Sequence, residues 1–152
     1  MESIDIIENR IKDMGYLVVK PIKVLPSYYE LKDESILEVL LRIETVIKDK
    51  NNPTGYFINT SNTTRAYIHT NKRDPTKFVN YTAADLASGI VDQDVDSKEL
   101  FSDYNEYELS NGILIKIKPI VSQIRKTKFY SQDGEPIYIV SITSMMKHIN
   151  KK

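Results

Sequence analysis

Apolar and polar residues alternate over long stretches of this chain, and they do so twice in the same order. From Tyr107 the sequence YELSNGILIKIKPIVSQIRKTKFYSQDGEPIYIVSITSMMKHI reads as a long strand, a glycine-containing turn at Asp133-Gly134 and a second strand from Ile137 to Ile142. Tyr29 to Ile68 follows the same plan. Setting Tyr29 against Tyr107 aligns Tyr-Glu-Leu with Tyr-Glu-Leu and the turn Asp33-Glu34 with Asn111-Gly112. Ile36, Leu37, Val39, Ile43 and Val46 then meet Leu114, Ile115, Ile117, Val121 and Ile124 without a gap, and Lys48 and Lys50 meet Lys126 and Lys128. With a three-residue insertion in the second copy, Phe57-Ile58 meets Tyr138-Ile139 and Ile68 meets Ile149. Two explanations compete. Either one β unit has been duplicated over 29–68 and 107–149, or two hairpins share the β-branched and aromatic residues common to strands. The collinear turns favour duplication within a single compact domain spanning 1–152. Pro119, inside the second long strand, removes a ladder donor and predicts a bulge or an edge there.

A different period opens the chain. Ile4, Ile7, Ile11 and Met14 recur at spacings of three and four, the stripe of a helix that Ser3 can cap and Gly15 can end. That stripe predicts a short helix packed on a sheet; the same positions also fit a dimerising seam. Tyr16-Leu17-Val18-Val19 reads as a strand closed by Pro21 and Pro26, and Asn59 to Thr64 as a polar segment at a strand end. Thr82, three residues before Asp85, approaches a capping box for a short central helix that Gly89 can stop. The sum is a mainly β, α+β chain: two related hairpin units, an N-terminal helix and a short central helix, with an acidic connector over 82–106. At the level of pattern, the repeated unit is similar to small five-stranded barrels of the Sm or SH3 kind.

Charge changes this picture more than composition does. Hydrophobic residues at 41% and charged residues at 28% suit a globular protein, and 21 basic against 21 acidic residues leave no net field to attract nucleic acid or membrane. The balance is uneven along the chain. Residues 82–108 hold eight acids and one base, Lys98, for a net of −7. Residues 109–152 hold eight bases and two acids, for a net of +6. This segregation predicts pairing within the chain, self-association or a charged partner. The opening MESIDIIENR lacks a basic region followed by an apolar core, and no window offers the roughly 18 apolar residues of a membrane helix, so a cytoplasmic protein is expected.

Candidate chemistry is sparse. The chain has no cysteine, which removes disulfides, thiolate metal sites and cysteine nucleophiles. Glycine-rich phosphate loops, a serine elbow and the two-histidine zinc helix lack their signatures, and His69 and His148 stand far apart. No enzyme and no cofactor is expected. One stretch fits a metal: Asp92, Asp94, Asp96 and Asp103 occupy positions 1, 3, 5 and 12 of a loop of EF-hand length, a calcium-binding pattern. It departs from that pattern at Ser97, where glycine is needed, and at Asp103, which is shorter than the usual glutamate. A second stretch fits nucleic acid. Arg65, Tyr67, Lys72, Arg73, Lys77 and Phe78 interleave cations with rings, as sequence-tolerant single-strand binders do, and Lys116, Lys118, Arg125, Lys126 and Lys128 can extend that surface.

The missing catalytic signatures, the charge segregation and the exposed-strand chemistry favour a non-enzymatic interaction module. It would bind a protein partner or another copy of itself through charge-segregated β surfaces. The alternatives are a single-stranded RNA or DNA binder using 65–81 with the basic strand 113–128, and a calcium-binding module using 92–103.

Overall fold

The computed structural model of the chain describes residues 1–150; Lys151 and Lys152, counted in the basic end, lie outside the described residues. Helix α1 (Ile4–Asp13) leads into β1 (Tyr16–Leu17), β2 (Val19–Lys23), β3 (Ser27–Leu31), β4 (Ile36–Lys48) and β5 (Tyr56–Tyr67). Two 3-10 turns, Thr70–Lys72 and Pro75–Lys77, precede helix α2 (Ala83–Ser88). The second half follows with β6 (Ile90–Asp92), β7 (Ser97–Phe101), β8 (Asn105–Leu109), β9 (Ile113–Tyr130) and β10 (Pro136–Asn150). Two antiparallel sheets with two helices make a mainly β, α+β fold. No helix among the described residues is long and apolar enough to cross a membrane.

Each sheet borrows a strand from the other half. The first sheet orders β5, β4, β3 and β7, with β1 on the far end of β4; the second orders β10, β9, β8 and β2, with β6 on the far end of β9. Thus β2 precedes β3 in the chain but pairs with β8, while β7 precedes β8 but pairs with β3. The two hairpins share one register. Ile36 faces Tyr67 as Leu114 faces Ile149, Val46 faces Ile58 as Ile124 faces Val140, and Lys48 faces Tyr56 as Lys126 faces Tyr138. The insertion is therefore four residues rather than three: Tyr56, and not Phe57, corresponds to Tyr138. Both hairpins also carry a bulge at the same place, Glu44 in β4 and Ser122 in β9.

That bulge explains how one strand serves two cores. A strand of thirteen residues spans roughly 43 Å, more than a single small core needs. In β4, Leu37, Val39, Leu41 and Ile43 point inward at alternate positions; the extra residue then shifts the inward set to Val46. Leu37 and Val39 join Tyr29, Leu31 and Ala66 with Ile124 and Tyr138 of the other hairpin. Leu41, Ile43 and Val46 join Tyr107, Leu109, Ile115 and Ile117. Each cluster thus contains the start of one hairpin and the far end of the other. Asn105, fully buried, ties the second cluster together: its Nδ2 donates to the Leu41 carbonyl (3.0 Å) and its Oδ1 accepts from the Leu25 N–H (2.7 Å).

Several expectations are corrected here. Strand β2 runs through Pro21, which an edge strand tolerates because its outer N–H is unneeded. Asn59–Thr64 lies in the middle of β5, and β10 continues eight residues past Ile142. Pro119 falls between the stretch of β9 paired with β8, which ends at Ile117, and that paired with β6, which starts at Lys126. Pro119 is in register with Ser144 of β10 on one side and faces a gap on the other, a local edge as expected, and the bulge comes three residues later. The acidic connector is no connector: α2, β6, β7 and the start of β8 all lie within it. Finally, α1 is capped by Ser3 and followed by Gly15 at φ +102°, as expected, but none of its residues is buried. Along the stripe Ile4 is 68%, Ile7 40%, Ile11 37% and Met14 69% exposed, so its ends face solvent and its middle is only partly covered.

Candidate interaction surfaces

The registers assemble a charged face on the second sheet from four strands that are distant in sequence. Lys23 of β2 lies opposite Glu106 of β8, Glu106 opposite Lys116 of β9, and Lys116 opposite Lys147 of β10. The Lys116 ammonium is 3.5 Å from Glu106, and Lys23 bonds Asp103 at 2.5 Å. This bond to Lys23, helped by the Tyr104 N–H, holds the Asp103 carboxyl below its ordinary value, and the same bond raises Lys23. Beside this row the ring of Tyr104 has Lys147 Nζ 4.9 Å and Lys118 Nζ 5.8 Å from its centroid, and its hydroxyl donates to Met145 Sδ (2.9 Å). Lys116 and Lys147 are like charges directly opposite one another, an arrangement that destabilises a strand pair.

Sequence reasoning found Lys116 and Lys118 but missed Lys23, Tyr104, Met145 and Lys147. The signal available was the alternation of Met145, Lys147 and Ile149, which carries the strand past Ile142. The pairing of Lys147 with Lys116 had no local trace.

The remaining cations of the expected nucleic-acid surface mostly face groups of their own chain. Arg65 and Tyr67 lie on β5 of the first sheet, apart from Lys116 and Lys118 on the second. The Arg65 guanidinium stands 3.8 Å from Glu135 and 5.1 Å over the Tyr67 ring, whose hydroxyl donates to Glu38 (3.4 Å). Arg73 Nε donates to the Asp133 carbonyl (3.0 Å), and Lys77 sits 4.9 Å over Tyr130. Phe78 meets Tyr81 edge-on, and Lys72 lines a small cleft with Asp33 and His69. On the later part of β9, Lys126 faces Asp92 in register and draws Asp33 downward in pKa, Lys128 lies over Phe129, and Arg125 Nε is buried. The acidic segment thus meets the basic strand where Glu106 pairs with Lys116 and where Asp92 lies opposite Lys126.

The four aspartates of the calcium pattern are not gathered. Asp92 and Asp94 share a tight turn in which the Asp94 N–H donates to Asp92 Oδ1 (3.0 Å), and the Asp96 carbonyl accepts from the Lys32 N–H (3.1 Å). Strand β7 then runs extended over Ser97–Phe101, roughly 17 Å at strand rise, before Asp103 meets Lys23. The expected twelve-residue loop is a turn followed by a strand. Among the described residues no group of three or more acidic or histidine side chains converges.

The sheet edges differ in how they are guarded. Edge strand β2 carries Lys20, Pro21 and Lys23 within five residues, and β7 carries Lys98 and Glu99. Such residues block pairing with another chain. Strands β5 and β10 present edges of twelve and fifteen residues; each has a single Lys or Arg, and from Ile137 onward β10 has no proline. Among the described residues no strand pairs with either outer edge.

No family model matches the chain, and neither a curated protein nor a solved structure matches it.

Proposed function

We propose that this chain is a non-enzymatic interaction module that assembles with protein through its β surfaces. The observation that carries the reading is the pair of long, unguarded edges on β5 and β10. A row of unpaired backbone donors and acceptors is a template for another strand, and natural proteins guard such rows unless they are used. The exposed stripe of α1 adds apolar surface to the same molecule. Size-exclusion chromatography with light scattering, at low and high salt and with absorbance at 260 and 280 nm, tests this. The expected result is an oligomer or a defined protein complex free of nucleic acid. A monomer at both salts that also fails to bind strand-forming peptides overturns it.

A second reading, single-stranded RNA or DNA binding, is favoured by one feature: two ammonium groups, Lys118 and Lys147, flank the Tyr104 ring. It requires a monomer that carries nucleic acid at low salt and sheds it at high salt, with affinity falling steeply as salt rises. Neutralising Lys118 and Lys147 would weaken it, whereas neutralising Arg65 and Arg73 would do so less, since both already face carboxylates.

A further inference from the structure

The geometry points to the outer edge of β10 as a docking site for an extended, acidic polypeptide segment; this deepens the interaction-module reading and rests on it. Along that edge Met145, Lys147 and Ile149 share one face of the strand, opposite Lys118, Lys116 and Leu114 of β9. A strand laid on the edge places alternate side chains beside this row, with opposed Cβ atoms about 5 Å apart.

The chemistry of the row selects the occupant. Lys147 stands opposite Lys116 and one step diagonal from Lys118, so three ammonium groups crowd one side of the sheet; Glu106 pairs with Lys116, and Asp103 lies near enough to attract Lys118. A glutamate or aspartate on an added strand, facing Lys147, relieves the like-charge pair that the fold itself leaves in place. Met145 and Ile149 on either side, 46% and 41% exposed, call for apolar residues two positions before and after that acid. The pattern sought is apolar, any, acidic, any, apolar. A polypeptide strand matches the backbone row as well as the charge, which a nucleic acid does not. The edge of β5 lacks this selectivity, because Arg65 already faces Glu135.

The test uses the full chain and a fluorescein-labelled synthetic nonapeptide carrying that pattern, read by anisotropy. Its partners are the same peptide with lysine for the central acid, the same peptide with proline beside it, and an oligo-dT of matching length. The acidic peptide should bind at least about tenfold tighter than the lysine peptide. Proline should abolish binding, and Lys147→Glu should invert the preference. Since Lys147 is exposed and faces Lys116, the variant should melt no lower than wild type; Lys118→Glu, tested in parallel, should weaken the acidic peptide without inverting it. Equal binding of the acidic and lysine peptides, undiminished binding of the proline peptide, or tighter binding of oligo-dT each overturns the proposal. If no peptide binds while light scattering still shows assembly, the β10 inference falls and the module stands. If no peptide binds and the chain is monomeric, both fall.

Discussion

Glu34 is the single non-glycine residue with positive φ among the described residues, at +69°, and its counterpart in the second hairpin is Gly112 at +86°. Both N–H groups close the same turn, Glu34 to the Leu31 carbonyl and Gly112 to the Leu109 carbonyl, each at 2.9 Å. A side chain in the left-handed region costs of order 1 kcal/mol, so Glu34→Gly should raise stability by about 1 kcal/mol in a denaturant melt. Gly112→Ala should lower it by about as much or more. The residue before each positive-φ position behaves alike in the two turns. Asp33 accepts from the Ser35 hydroxyl and N–H, as Asn111 accepts from the Ile113 N–H. Burial opposes the Asp33 charge, but the two bonds from Ser35, with Lys126 and Tyr138, outweigh it and hold the carboxyl below its ordinary value of 3.8. The folded state therefore binds this proton less tightly than the unfolded chain does. The stabilisation is complete above the ordinary value and is lost as pH falls through the lowered one. Asp33→Asn keeps the turn acceptor and removes the charge. Its stability deficit in urea melts should be present at neutral pH and shrink as pH falls below the ordinary carboxylate value of 3.8.

At the scale of elements, the turn of the second hairpin is locked to the segment between β5 and α2. Gly134 has φ +82°, and a Cβ there would lie 2.5 Å from the backbone of Asp74. Arg73 donates to the Asp133 carbonyl, and the Asp74 N–H approaches the Gly134 carbonyl at 3.4 Å. Gly134→Ala should cost about 2–3 kcal/mol from strain and overpacking together. It should also increase hydrogen exchange in residues 73–77, which a purely local turn defect would leave unchanged. Much at this scale was legible in the sequence: the Ser3 and Thr82 caps, the turns at Asp33-Glu34 and Asn111-Gly112, and the in-out alternation of β4 and β9. These depend on contacts within a few residues. The expected packing of α1 failed because a stripe states only that a face is apolar, and not whether another element reaches it. The twelve-residue calcium spacing is laid out as a turn and a strand, because spacing along the chain says nothing of whether the backbone curls or, as in β7, runs straight.

The whole molecule is two matching halves that cannot be separated without loss. β2 needs β8, β7 needs β3, and each hydrophobic cluster draws on both hairpins. The shared registers and shared bulge give the two hairpins one plan. Fragments 1–80 and 81–152 should each fail to give a cooperative melt alone, because each keeps about half of either core. Mixed in equal amounts, they should regain the strand signal and a single transition as a heterodimer. Independent folding of either fragment would contradict the reciprocal cores.

The sequence by itself determined the strand content, the caps and turns, the repeated plan of the two hairpins and the absence of thiol chemistry. Each is written in composition or in residues close together along the chain. Only the tertiary structure decided that the halves exchange β2 and β7, that the acidic segment divides between β9 and β3, that α1 buries none of its residues and that Lys147 comes to lie opposite Lys116. Strand pairing joins residues dozens of positions apart through backbone groups that every residue carries, so the alternation pattern marks the strands while leaving their partners open.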